Sequence, residues 1–335
     1  MTENPAKVLL KVEDLSINFR VKRGFFGRDS FQVNAVNNVS FELSRGETLG
    51  LVGESGAGKS TIGRALLRLE DVEAGSIRVK GVEVGQLKGP LPKLRRNLQA
   101  IFQDPYSSLN PSMVVGDIIA EPLKIHFDMT QEDRKARVAE LMEQVGLRAQ
   151  QMQRYPSEFS GGQRQRIAIA VALALDPEII ICDEAVSALD VSTQSQVINL
   201  LARLQEERNL AYLFIAHDLA VVRHISDRIG VLYLGHLVET GPADRVCDQP
   251  AHPYTRMLLD AVPVTDPVEQ KRRKAQRASH GAGEVPSATD IRAGCPFSSR
   301  CPKVMDMCRT RNPESVSVPG GGTVACHLHS ELAGS

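Results

Sequence analysis

The clearest chemistry lies at residues 53–60, where Gly53, Gly58, Lys59 and Ser60 satisfy every fixed position of G-x-x-x-x-G-K-[ST]. Glycines at this spacing let a backbone wrap an anion, so that successive N–H groups and a helix N-terminus face one phosphate. Lys59 adds a point charge suited to β- and γ-phosphates, and Ser60 a hydroxyl for Mg²⁺. Further on, the apolar run Ile179-Ile180-Ile181-Cys182 ends in Asp183-Glu184. A strand ending this way carries two carboxylates to the edge of a sheet. Asp183 suits the Mg²⁺ shell, and Glu184 suits orienting or deprotonating a water. Ser160-Gly161-Gly162-Gln163 opens a helix-like run and admits two readings, a second anion seat or an ordinary serine cap. One nucleotide does not need two such seats in one chain. Two chains set head to tail would place the second seat on the partner's γ-phosphate.

Near the C-terminus, Cys295, Cys301, Cys308 and Cys326 follow the spacing C-x5-C-x6-C-x17-C. Four thiols this close suit tetrahedral ligation of Zn²⁺ or an iron–sulfur cluster, but no pair has the C-x2-C spacing of common zinc modules. Spacing leaves cluster, zinc and free thiols open, with His327 and His329 as substitute zinc ligands. Cys182 and Cys247 read as apolar filler.

These residues sit in a chain of 335 with 40 Lys+Arg against 40 Asp+Glu and 42% hydrophobic residues. Zero net charge argues against a polybasic nucleic-acid binder, and the composition is not that of a disordered chain. No apolar run reaches the roughly 18 residues of a membrane-spanning helix, and Met1–Pro5 opens no secretory signal. Cytoplasmic residence with reduced thiols is therefore the expectation.

Residues 8–19 predict a strand, 33–43 a strand pair, and 48–52 a short strand entering the phosphate loop, with a helix-like run to Leu69 behind it. Thr130 predicts the cap of a helix over 130–146, with Val138, Leu141, Met142 and Val145 on one face and Gly146 ending it. A further helix runs from Ser192 with Val197, Leu200, Leu201 and Leu204 inward, and Tyr212–Ile215 reads as a buried strand. Strands alternating with helices imply a parallel α/β sheet covered on both faces. Pro250, Pro253, Pro263 and Pro267, then the basic run Lys271–Lys274, mark 246–335 as an extension, with 281–290 as its flexible part.

Taken together, the motifs resemble those of the ATP-binding cassette (ABC) ATPases. Ser160–Gln163 is similar to that family's signature, Gly53–Thr61 to its phosphate loop and 179–184 to its Mg-acid strand. Gln103 in Ile101–Pro105, Asp190 in Ser187–Asp190 and His217 in Ile215–Asp218 match its glutamine loop, its dimer loop and its switch histidine. Phe159 replaces the usual Leu before the signature serine, and Val171 stands where Arg is common. The resemblance implies a P-loop NTPase cassette over 1–245. This would hold a mixed sheet core, an antiparallel β subdomain and a helical subdomain at about 104–160, followed by a Cys-bearing extension. It implies ATP binding through Ser55, Gly56, Gly58, Lys59, Ser60 and Thr61, with Phe19, or Phe25 or Phe26, stacking on adenine. It implies Mg²⁺ held by Ser60, Gln103 and Asp183, and catalysis by Glu184, His217 and Gln103.

The stretches Phe102–Pro111, Asp183–Ser192 and His252–Thr255 narrow the resemblance to the dipeptide/oligopeptide importer ATPases, a group that includes glutathione and nickel importers. That implies a second, different ATPase chain, two transmembrane permeases, an extracytoplasmic substrate-binding protein, and a place on the cytoplasmic face of the inner membrane. It also implies a [4Fe-4S] cluster on the four tail cysteines, with Zn²⁺ as the alternative. A competing reading is a soluble cassette ATPase acting on DNA or ribosomes. Repair types insert a long coiled coil between phosphate loop and signature, and no sustained heptads lie between Lys59 and Ser160. A third, a metal-sensing regulator, rests on the tail alone.

Overall fold

The computed structural model describes residues 8–23, 29–85, 92–104, 108–262 and 293–334. Phe25, Phe26, the basic run at 271–274 and the stretch 281–290 lie outside them. In chain order the elements are β1 (Val8–Arg23), β2 (Asp29–Ser44), β3 (Thr48–Val52), α1 (Lys59–Leu66), β4 (Ala74–Val79), β5 (Val82–Glu83), α2 (Pro92–Asn97) and β6 (Leu98–Ile101). They continue with α3 (Val115–His126), α4 (Gln131–Gln144), α5 (Gly161–Leu173), β7 (Ile179–Asp183), α6 (Val191–Arg208), β8 (Ala211–Ala216), α7 (Leu219–Ile225) and β9 (Arg228–Tyr233). The last are β10 (His236–Pro242), α8 (Ala243–Asp248), α9 (Pro253–Ala261), β11 (Ser315–Ser317) and β12 (Thr323–Ala325). The expected strand pair at 33–43 is instead the second half of one long strand: at Asn37-Asn38 the backbone takes a left-handed φ of 52° at Asn38, but the chain does not reverse there. Helix α1 stops at Leu66, short of Leu69, and Arg68 just beyond adopts a left-handed φ of 57°.

Contacts divide the chain into two compact units. The first comprises Met1–Leu10, Glu42–Thr48 and Arg78–Ile215. Its strands run β8-β7-β6, all parallel, with Leu98 opposite Ile179 and Cys182 opposite Phe214. Both faces are covered, so β7 and β8 are almost wholly apolar and buried, as a parallel sheet requires. Thr130 caps α4 by accepting the Asp133 N–H at 3.1 Å. Val138, Leu141, Met142 and Val145 are buried as their spacing predicts. Helix α6 buries Val197, Leu200, Leu201 and Leu204, each worth about 1.5–3 kcal/mol.

The second unit comprises Lys11–Phe41, Leu49–Ile77 and Ala216–Ser335. Its main sheet has the order β11-β12-β10-β9-β3. Strands β3 and β9 are parallel, with Val52 opposite Val231, while β9–β10, β10–β12 and β12–β11 are antiparallel. The hairpin of the C-terminal segment thus continues a mixed sheet, with Glu239 opposite Val324. Strands β2, β1 and β4 lie side by side in a separate sheet.

The joint between β10 and the following helices is a buried ion pair. The Glu239 carboxylate is fully buried and accepts from Arg245 and from the N–H groups of Ala251 and His252, both at 2.9 Å. His252 caps α9, its Nδ1 accepting the Tyr254 N–H at 3.0 Å. Burial, with the charge of His329 second, pushes the His252 imidazole down to about 3.

Candidate nucleotide site

In the second unit the phosphate loop runs from the end of β3 into α1. A Cβ on Gly58 would come within 2.2 Å of the Ala35 carbonyl oxygen, and one on Gly53 within 2.3 Å of that of Leu232. Only glycine lets the backbone close this tightly, and Gly58 also needs its φ of 99°. Gly56 (φ 80°) has open space where its Cβ would stand, which leaves the outer side of the cradle free for an anion. Lys59 is buried, and its Nζ donates to the carbonyls of Gly53 at 2.8 Å and Glu54 at 3.0 Å. A cradle with exposed Ser55 and Gly56, a helix start at Lys59 and an ammonium folded into it suits the phosphates of ATP. Ser60 and Thr61 are half-buried on the first turn of α1, and Phe19 is half-buried near the end of β1.

Glu54, the second residue of the loop, is a variable position of the motif and carries no signal in the sequence. All three of its polar groups are engaged. Its N–H donates to the Tyr254 hydroxyl at 2.9 Å, and its carbonyl receives Lys59. Its carboxylate receives both guanidinium nitrogens of Arg300, at 2.6 and 3.0 Å. Arg300 sits 5.8 Å above the Tyr233 ring, and Tyr233, Tyr254 and Phe297 meet at centroid distances of 4.6–5.4 Å. The nearest signal in the sequence is His252–Thr255, part of the family resemblance.

The first unit holds Gln103, Ser160–Gln163, Asp183, Glu184 and Asp190, while His217 belongs with the phosphate loop in the second. Asp183 ends β7 at its C-terminal edge. Glu184 then takes a left-handed φ of 48°, its N–H bonded to the Ile215 carbonyl at 2.9 Å and its own carbonyl receiving the Ser187 hydroxyl at 2.9 Å. A glutamate in that conformation costs about 1–2 kcal/mol, a strain that accumulates where a side chain must be aimed. Gln103 follows β6 and His217 follows β8, and both are exposed.

Ser160 caps α5 in a reciprocal box: its Oγ accepts the Gln163 N–H at 3.3 Å and Gln163 Oε1 accepts the Ser160 N–H at 2.9 Å. The serine-cap reading is what this geometry bears out, and the capped helix tip is exposed at Ser160. A Cβ on Gly162 would stand 2.2 Å from Thr193 Cγ2, so glycine there lets α5 approach the start of α6. Asp190 caps α6. The Ser192 hydroxyl at 2.6 Å, then the N–H and hydroxyl of Thr193 at 3.0 and 2.7 Å, hold its carboxyl well below the usual carboxylate range.

In the tail, all four cysteines are free thiols, and Cys295, Cys308 and Cys326 are buried. Burial, opposed by the Phe297 N–H and reinforced by the charges of the other three, pushes the Cys295 thiol up to about 11, and burial raises Cys301 and Cys326 as well. The thiols are neighbours of suitable chemistry for a soft metal. Yet among the described residues no three Cys, His, Asp or Glu converge as a metal-holding group. His327 and His329 each place Nε2 on a backbone carbonyl, of Arg311 at 2.9 Å and Ala251 at 3.1 Å, and neither completes such a group. The expectation of a cluster or zinc there finds no support in this arrangement. Cys182 is buried on β7 as expected, which pushes its thiol up.

Comparison with known proteins points the same way. Residues 36–187 match the family described as ABC transporter, and 238–308 match the oligopeptide/dipeptide transporter C-terminal region. The chain is 49% identical over 333 residues to the oligopeptide transport ATP-binding protein AppF of Bacillus subtilis, covering 98% of this chain and 100% of that protein. It is 47% identical over 331 residues to the di/tripeptide transport ATP-binding protein DppF of Pseudomonas aeruginosa, covering 98% and 100%. Among solved structures, the dimeric post-hydrolysis state of the ATP-binding cassette MJ0796 bound to ADP and Pi superposes with a TM-score of 0.61 at 28% identity, over 70% of this chain and 99% of that one.

Proposed function

From the premise that this chain belongs to the ABC transporter ATPases, in their oligopeptide/dipeptide branch, we propose the following working scheme. The chain is an ATP-hydrolysing motor subunit that drives uptake of peptides or a related small solute. It pairs with a second cassette chain of the same kind, different in sequence, and works with two permease subunits and an extracytoplasmic binding protein on the inner face of the membrane. Among the described residues no helix is long and apolar enough to cross a membrane, so passage of solute falls to other chains.

In this scheme the loop amides of 55–60 and Lys59 hold the β- and γ-phosphates, Thr61 contacts the α-phosphate, and Phe19 lies along the adenine. Ser60, Gln103 and Asp183 would hold Mg²⁺, which would supply positive charge to offset that of the phosphates. Glu184 orients the attacking water, and His217 holds the γ-phosphate and Glu184 in line. Ser160–Gln163 caps the γ-phosphate bound by the partner, and Asp190 bridges across the dimer to the partner chain. Cassette residues 1–245 carry these steps, with about 104–160 as the part gripping the permeases and 246–335 as the extension.

One observation supports this reading above others. The chain carries an anion-binding loop and, separately, an exposed, reciprocally capped Ser-Gly-Gly-Gln helix tip, which is redundant unless a second chain brings the other nucleotide. The test is Glu184→Gln in a transporter reconstituted with its permeases, partner cassette and binding protein. Nucleotide binding should persist while turnover at this site falls at least about 100-fold. Unchanged turnover would refute the assignment.

A further inference from the structure

We propose that the C-terminal extension positions the phosphate loop, with Arg300 and Tyr254 as the positioning residues for nucleotide binding. The proposal rests on reading Gly53–Thr61 as the ATP loop, and it gives that loop a brace from a segment well over a hundred residues away in sequence.

Glu54 is held at every polar atom group it has. Tyr254 of α9 takes its N–H, Lys59 takes its carbonyl, and Arg300, next to Cys301, takes its carboxylate in a two-pronged pair. Two-pronged guanidinium–carboxylate pairs fix orientation as well as distance. This pair is also shielded, the Arg300 side chain being 9% exposed and that of Glu54 28%. The brace is itself immobilised: Tyr254 is fully buried, Phe297 lies three residues before Arg300 at 1% exposure, and both rings meet Tyr233 edge to face.

Two consequences follow for the loop. First, Lys59 Nζ bonds to the carbonyl of Glu54, so whatever fixes Glu54 also fixes where the phosphate-binding ammonium rests. Second, a bare carboxylate on a loop that must receive a polyphosphate would repel it, and Arg300 cancels that charge. An extension that came loose would therefore leave the loop floppy and acidic at once, weakening ATP binding while leaving the hydrolytic groups untouched.

The test uses the full chain with its partner cassette and Mg–ATP as the probe. Arg300→Met should raise KM about tenfold, inside the range of coupling energies for a contacting pair, with kcat within about twofold. In a Glu54→Gln background the same substitution should cost less than about threefold, because the charge it unmasks is gone. Tyr254→Phe removes one hydroxyl and keeps the ring packing; it should raise KM a few-fold, and it carries the test if Arg300→Met does not fold. Arg300→Lys should recover part of the loss, since it restores charge without the fork. An unchanged KM in folded Arg300→Met and Tyr254→Phe, a fall confined to kcat, or an equal cost of Arg300→Met with and without Glu54→Gln would overturn the proposal. A wild-type chain that neither binds nor hydrolyses ATP would instead overturn the motor reading beneath it.

Discussion

Gly162→Ala probes the contact that sets the signature helix. The added methyl would stand 2.2 Å from Thr193 Cγ2, where carbon atoms ordinarily rest about 3.5 Å apart. Thr193 cannot swing aside cheaply. Its χ1 is restricted by β-branching, and its hydroxyl and N–H both bind Asp190. Overpacking of this kind costs about 1–3 kcal/mol, and alanine returns up to about 1 kcal/mol of helix propensity. The expected net loss is about 1–2 kcal/mol, read as a fall of several degrees in thermal midpoint and as lost ATPase activity once α5 is pushed from its seat. Adding Thr193→Ser deletes Cγ2 alone and keeps the hydroxyl on Asp190. The double variant should return to wild-type stability or slightly above it, and should recover ATPase activity. If Gly162→Ala with Thr193→Ser is as unstable and inactive as Gly162→Ala alone, the contact is not what makes glycine necessary.

Two further predictions concern the joint between β10 and the helices that follow it. His252 has its pKa depressed in the fold, so the unfolded chain binds more protons between about 3 and the ordinary 6.5. Stability should be full above about pH 6.5 and fall by up to tenfold in equilibrium constant per pH unit below it; denaturant midpoints across pH 4–8 check this, and His252→Asn, which keeps a cap without a titrating ring, should flatten the profile. Arg245→Met leaves the buried Glu239 carboxylate with N–H donors only, which should cost about 3–5 kcal/mol by chemical denaturation; adding Glu239→Gln should recover most of it.

What was legible in the sequence was what neighbouring residues decide. Gly53–Ser60, the Thr130 cap and the Ser160 cap are each fixed within a few positions, and each stands where its spacing placed it. The expected strand pair at 33–43 is one strand, because alternation alone does not distinguish the local left-handed step at Asn38 from a turn that reverses the chain. The grip on Glu54 was invisible for a different reason: it joins residues 246 positions apart, and nothing local to Arg300 or Glu54 announces the other. The tail cysteines show the opposite hazard. Their spacing invited a ligand set, but convergence is a property of side-chain directions that spacing does not carry.

The hairpin β11–β12 covers the free flank of β10. A chain ended after residue 245 would uncover that flank along Glu239 and Thr240, and would strip Glu239 of the Ala251 and His252 amides. Raw strand margins recruit other strands, so such a shortened protein should clump with its own copies instead of behaving as a minimal ATPase. The tail is the selvedge of the fabric, woven in so that the cloth does not fray.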